Sequence, residues 1–249
     1  MIHFAAYGSE GKPCLVLGSS LGTSGRMWAN LVPSLAETFH LIVFDTRGHG
    51  KSQHLPTAGI GVADFAGDVI ALLDSLRIER FSYAGLSLGG AIGQQLALSW
   101  PERVNKLVLC CTAAKFGEAK TYQDRAAKVR REGMAWLYEP TKARWYTPGF
   151  AEENAFAQEL LAEMLALPPQ GYADVCDAVA AFDARGSLAR ITCPTLAIAG
   201  ANDIATPVPV MQELAGGIPG ARLLIVNGAA HLGNVERPGE FLEAIREFA

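Results

Sequence analysis

The chain has 249 residues, a formal net charge of -4, half of its residues hydrophobic and 18% charged. That balance excludes an intrinsically disordered chain. It also lacks the basic excess of a nucleic-acid-binding domain, so an acidic ligand would have to meet a local cation rather than a global field.

Short apolar runs alternate with helical patterns along the chain. Ile2 to Tyr7 reads as a strand, Gly8-Ser9-Glu10-Gly11 as a turn, and Cys14-Leu15-Val16-Leu17 as a buried strand. Trp28, Leu31, Val32 and Leu35 have helical spacing, and Leu41 to Phe44 is a further buried strand. Val62 to Leu76 places Phe65, Val69, Leu72, Leu73 and Leu76 on one helical face. A strand over Arg80 to Ala84 leads to Gly85-Leu86-Ser87-Leu88-Gly89, and a helix over Gly90 to Trp100 stops at Pro101. Val104 to Cys111 is another strand. From Lys115 to Ser187 the chain turns charged, aromatic and helical, and then Thr195 to Ala199 (strand), Val208 to Leu214 (helix), Ala221 to Val226 (strand) and Phe241 to Phe248 (helix) restore the alternation. Continuous apolar strands separated by helices predict an α/β protein with a mostly parallel sheet covered on both faces. Residues 1-114 and 188-249 form the expected core domain. Residues 115-187 form an expected helical cap above the carboxyl ends of the strands, where open α/β sheets bind ligands.

Five cysteines, Cys14, Cys110, Cys111, Cys176 and Cys193, are an odd number without paired spacing, which argues against a disulfide framework and against a zinc site. The start of the chain lacks the basic and long apolar stretches of a signal peptide, and no apolar run is long enough for a membrane span. The expectation is a cytoplasmic protein with no membrane partner; oligomeric state is not legible.

A serine hydroxyl becomes a nucleophile only when it is held exposed beside a base. The strand-turn-helix around Ser87 can do this, because glycines two before and two after the serine let the backbones approach, and the new helix aims its N-terminal amides there. In this arrangement an acid and then a histidine follow on loops after later strands. Asp203, in Gly200-Ala201-Asn202-Asp203, is the expected acid, and His231, in Asn227-Gly228-Ala229-Ala230-His231, the expected base. Taken singly, they read equally well as a turn aspartate and a surface histidine. His3 and His40 open strands and are expected at the opposite sheet edge, while His49 and His54 precede the nucleophile. Backbone N–H donors for an oxyanion are expected from Leu88 and, in the loop Gly18-Ser19-Ser20-Leu21-Gly22, from Leu21. Asp45-Thr46-Arg47-Gly48-His49-Gly50-Lys51-Ser52 reads as a rigid turn at the pocket rim, scaffold rather than chemistry.

Together these landmarks resemble the α/β-hydrolase superfamily over nearly the whole chain. A narrower resemblance rests on Ser20-Leu21-Gly22-Thr23 with Met27-Trp28, Asp45-Thr46-Arg47-Gly48-His49-Gly50, Cys111-Thr112-Ala113-Ala114, Asp203-Ile204-Ala205-Thr206-Pro207 and His231-Leu232-Gly233-Asn234-Val235-Glu236. These segments look like 3-oxoadipate enol-lactonases, which open a small cyclic ester in bacterial catabolism of aromatic compounds. The superfamily usually has His-Gly where this chain has Ser19-Ser20. The resemblance implies a small-molecule lactone substrate and neither metal nor organic cofactor. The substrate carboxylate then calls for a cation: Arg144 is the candidate, with Trp145 as a pocket wall and Lys115 and Arg125 in reserve. Alternatives within the fold are another small-ester hydrolase, a carbon-carbon bond hydrolase or a cofactor-free haloperoxidase-like enzyme. Outside that class stands a ligand receptor that binds without turnover.

Overall fold

Five apolar strands without a polar face sit at the centre of the computed structural model, which describes residues 1–249. They are β2 (Cys14–Gly18), β3 (His40–Phe44), β4 (Phe81–Leu86), β5 (Val104–Cys110) and β6 (Thr195–Gly200). The edge strands, β1 (Phe4–Tyr7) and β7 (Arg222–Val226), are partly exposed. The sheet runs in the order β1-β3-β2-β4-β5-β6-β7. Every pairing is parallel except β1 with β3. This is an α/β-hydrolase fold, with one core of buried Leu, Ile, Val and Phe side chains running through it.

Register decides where the loops meet. Gly18 pairs with Gly85, Leu86 with Cys110, Cys110 with Ile198, and Gly200 with Val226. The carboxyl ends of β2, β4, β5, β6 and β7 therefore lie along one edge, and the loops that follow them open on the same side.

Three details depart from the sequence reading. The helix after β4 begins at Leu88, directly behind Ser87, rather than at Gly90. The Trp28 to Leu35 pattern breaks into a 3-10 turn over Gly25–Trp28 and a short helix over Val32–Ala36, because Pro33 supplies no N–H to continue one helix into the other. His3 does not lie at the opposite edge: β1 runs antiparallel, so its start faces the end of β3, and His3 Nδ1 sits 3.1 Å from Asp45 Oδ2.

Between β5 and β6 the chain forms helices over Ala119–Glu132, Tyr138–Trp145, Phe150–Glu153, Ala155–Leu165 and Pro169–Ala181, with no strand. Side-chain ties join this segment to the rest. The Thr57 hydroxyl donates to Asp174 Oδ2 at 2.6 Å, and Arg26 pairs with both Glu159 and Glu163. No helix is long and apolar enough to cross a membrane, and all five cysteines are free thiols.

Candidate active site

Ser87 stands at φ 57°, ψ −114°, left-handed backbone that few side chains adopt and that costs roughly 1–3 kcal/mol. The neighbours enforce it. A Cβ on Gly85 would overlap the Gly89 carbonyl, and a Cβ on Gly89 would overlap that of Gly18. The Ser87 N–H donates to Cys110 O at 2.9 Å, and the Thr112 hydroxyl donates to Ser87 O at 2.7 Å. Strand, turn and helix are thus clamped from β2 and β5, and the serine side chain has only the cavity to enter.

Asp203 and His231 meet across the ends of β6 and β7. His231 Nδ1 lies 2.8 Å from Asp203 Oδ2, with both side chains almost wholly buried. Asp203 also accepts from Ala205 N–H (2.7 Å), Thr206 N–H (3.1 Å) and the Thr206 hydroxyl (2.7 Å). Burial pushes its carboxyl up, but the charge and hydrogen bond of His231, with those from Thr206, outweigh this and hold it at about 2. An ionised carboxylate only accepts, so Nδ1 carries the proton and Nε2 keeps its lone pair. Ser87 and His231 line that cavity together; the serine hydroxyl makes no hydrogen bond to the imidazole here, a common condition of sites without substrate.

The loop after β2 is held by His49. Gly22 N–H donates to His49 Nε2 at 2.9 Å. Burial pushes the His49 imidazole down to about 4, against smaller opposing effects of the Arg47 carbonyl and the Asp45 charge. It is therefore neutral at ordinary pH, with a lone pair free to accept. Asp45 secures the same corner, accepting from Gly25 N–H at 2.8 Å and Lys51 N–H at 2.9 Å. Within this frame the Leu21 N–H has no acceptor in the protein, and neither has that of Leu88, the first residue of its helix.

The opposite wall of the cavity comes from the helical segment: Tyr122, Arg125, Thr141, Arg144, Trp145 and Tyr172. Arg144 and Trp145 are thus placed at the site, and so is Arg125, while Lys115 is not among the lining residues. Neither Arg125 nor Arg144 pairs with a carboxylate, whereas Arg26, Arg47, Arg103, Arg130, Arg131 and Arg185, outside the cavity, each do. Burial, and then the charge of Arg125, push the Arg144 guanidinium down from its usual value. Two unneutralised cations in one cavity make an anion the fitting guest. Arg125 also lies 4.9 Å over the Tyr122 ring. Ser20 lines the cavity as well. Tyr122 and Tyr172 were visible only as part of an aromatic-rich stretch; the helical face that carries them inward had no signal of its own. No group of three His, Cys, Asp or Glu side chains is arranged to hold a metal ion.

The chain belongs to the alpha/beta hydrolase fold family, whose model matches residues 13–238, and it is a hydrolase of that class. It is similar to 3-oxoadipate enol-lactonase 2 of Acinetobacter baylyi, with 39% identity covering 98% of this chain and 91% of the relative. The crystal structure of the enol-lactonase from Burkholderia xenovorans superposes with a TM-score of 0.95 at 34% identity, covering 99% of this chain and 95% of the other. A Pseudomonas syringae protein named as a carbamate hydrolase, RutD, is 31% identical over 100% of this chain and 98% of its own length.

Proposed function

We propose that the chain hydrolyses 3-oxoadipate enol-lactone to 3-oxoadipate through an acyl-enzyme on Ser87, in the breakdown of aromatic compounds. One observation carries the reading. A histidine oriented by a buried carboxylate shares a narrow cavity with a strained serine and with two arginines that lack acidic partners. The similarity to enol-lactonases supports the choice of ester.

In this reading His231 Nε2 takes the Ser87 proton as Oγ attacks the lactone carbonyl, and Asp203 stabilises the imidazolium that forms. The free N–H groups of Leu21 and Leu88 receive the oxyanion. The ring C–O bond breaks as His231 gives that proton to the enol oxygen, which leaves on the same acyl chain and restores the neutral imidazole. Ketonisation removes that oxygen as a nucleophile able to close the ring again. Water then gives a proton to His231 and its oxygen to the acyl carbon, and Ser87 Oγ leaves with the proton returned. Arg144 and Arg125 hold the substrate carboxylate against the Trp145 wall. Residues 115-187 act as the cap that selects substrate, and residues 1-114 with 188-249 as the core that performs the chemistry.

The deciding experiment measures kcat/KM for authentic enol-lactone, made in situ, beside p-nitrophenyl acetate, a ring-cleavage dienoate and a small anionic carbamate. The lactone should be preferred by at least about a hundredfold, the discrimination available when a buried charged group must find its partner. The RutD relative favours the carbamate as the second reading. Preference for the carbamate would replace the lactone. Tight ligand binding without turnover of any of the four would replace the enzyme with a receptor.

A further inference from the structure

The cavity is about 30 Å³, room for water but not for a six-carbon ester. A substrate must therefore displace part of the lining, much of which the helical segment supplies. That segment is bonded to the chain just after the imidazole, at Leu232 and at Glu236, and Glu236 reaches back to Ala230 on the other side. Leu232 N–H donates to Trp145 O at 2.9 Å. Ala230 N–H donates to Glu236 Oε2 at 2.5 Å, while Glu236 Oε1 accepts from both the N–H and the hydroxyl of Thr147 at 2.7 Å. The Glu236 carboxylate is buried, and its three donors come from two separate parts of the chain. A buried carboxylate is tolerated only while its donors stay in place, so it resists separation of the two parts. Arg144 and Trp145, both lining the cavity, lie within three residues of Thr147.

We propose that Glu236 is a positioning residue: it joins the stretch from Arg144 to Thr147 to the loop from Ala230 to Leu232, so that the substrate-lining wall and the imidazole move as one body. His231 then comes into register with Ser87 as the wall seats on substrate. The inference rests on the reading of His231 as the general base. The tie between Thr57 and Asp174 also joins the helical segment to the core but reaches no residue of the Ser87, Asp203, His231 set, and so serves as a control.

Three variants test it: Glu236→Gln, Thr147→Val and, as control, Asp174→Asn. Glutamine keeps the volume but can accept at one end only, turning an NH2 toward a donor at the other. Because a misplacement on the order of 1 Å costs up to a hundredfold, Glu236→Gln should lower kcat about 10- to 100-fold and change KM by less than about threefold. This should hold for the lactone and for a neutral ester alike. Thr147→Val should lower kcat in the same direction, by about threefold, the loss of one hydrogen bond of modest strength. The low-field proton resonance of the His231–Asp203 hydrogen bond should shift or broaden in Glu236→Gln and stay unchanged in Asp174→Asn, whose kcat should match the parent. Unchanged kcat in Glu236→Gln overturns the proposal, as does an equal loss of kcat in Asp174→Asn. Should Glu236→Gln fail to fold, an unchanged kcat in Thr147→Val overturns it. Full activity in His231→Ala would instead defeat the functional reading; an inactive His231→Ala beside a fully active Glu236→Gln would defeat the positioning role alone.

Discussion

The loops that carry Ser87, Asp203 and His231 and the helical segment between β5 and β6 face one cavity, but they are held in opposite ways. Around Ser87 the geometry is set by backbone: glycines whose missing side chains leave room for carbonyls, and main-chain hydrogen bonds to β2 and β5. Across the cavity side chains carry more of it, with Arg26 on Glu159 and Glu163, Thr147 on Glu236 and two arginines with no acidic partner at all, beside the single main-chain bond from Leu232 N–H to Trp145 O. Backbone contacts admit almost no substitution, whereas side-chain contacts can be exchanged one at a time. On the proposed reading, the reaction is anchored in the sheet and the choice of substrate displayed on helices, with Glu236 as a link between them.

The comparison breaks most plainly at Ser87. Ser87→Ala should cut kcat at least about 10⁴-fold for every ester tested, with an unchanged circular dichroism spectrum. Retained turnover would remove the covalent mechanism. Next comes Gly89→Ala, whose Cβ would strike the Gly18 carbonyl, an atom of the sheet itself. A loss of roughly 4 kcal/mol in urea unfolding is expected, with activity lost toward charged and neutral esters together. A stable, active variant would show that the backbone frame is softer than described.

His49 sharpens the same side of the comparison. A proton favours the unfolded chain, where the imidazole titrates near 6.5, over the folded chain, where it titrates at about 4. The stability due to the neutral imidazole is therefore complete above pH 6.5 and falls as pH drops toward 4, by about 3 kcal/mol. His49→Gln cannot titrate and should flatten that window in urea unfolding followed against pH; an unchanged slope would assign the loss to other groups. The smallest effect belongs to the helical side. Arg144→Ala should raise KM for the anionic lactone by about tenfold or more, the strength of a hydrogen bond to a charged group, and leave a neutral ester within about twofold. Equal effects on both would take Arg144 out of anion recognition and erase the division of labour.

Much of this was legible before any coordinates. The strand runs and the glycines around Ser87 are local signals, and chain order pointed to the loops of Asp203 and His231, which the structure places 2.8 Å apart. The direction of β1 was not legible, since a lone four-residue strand reads the same either way, and so His3 was assigned to the other edge. The contact of His49 with Gly22 N–H joins loops 27 residues apart and has no pattern of its own. Arg125 stood in reserve behind Arg144 because helical periodicity marks a polar face without saying whether that face meets water or a cavity.

The amino-acid sequence determined the succession of elements, the turn that strains Ser87 and the order of the acid and the imidazole, because these follow from short-range sterics and from apolar spacing. Only the tertiary structure decided which cations line the cavity, how a neutral imidazole steadies the loop after β2 and that Glu236 ties two distant segments together. Such contacts depend on which faces are left over once the sheet and its helices have buried their apolar sides, and that outcome is settled by the whole chain at once.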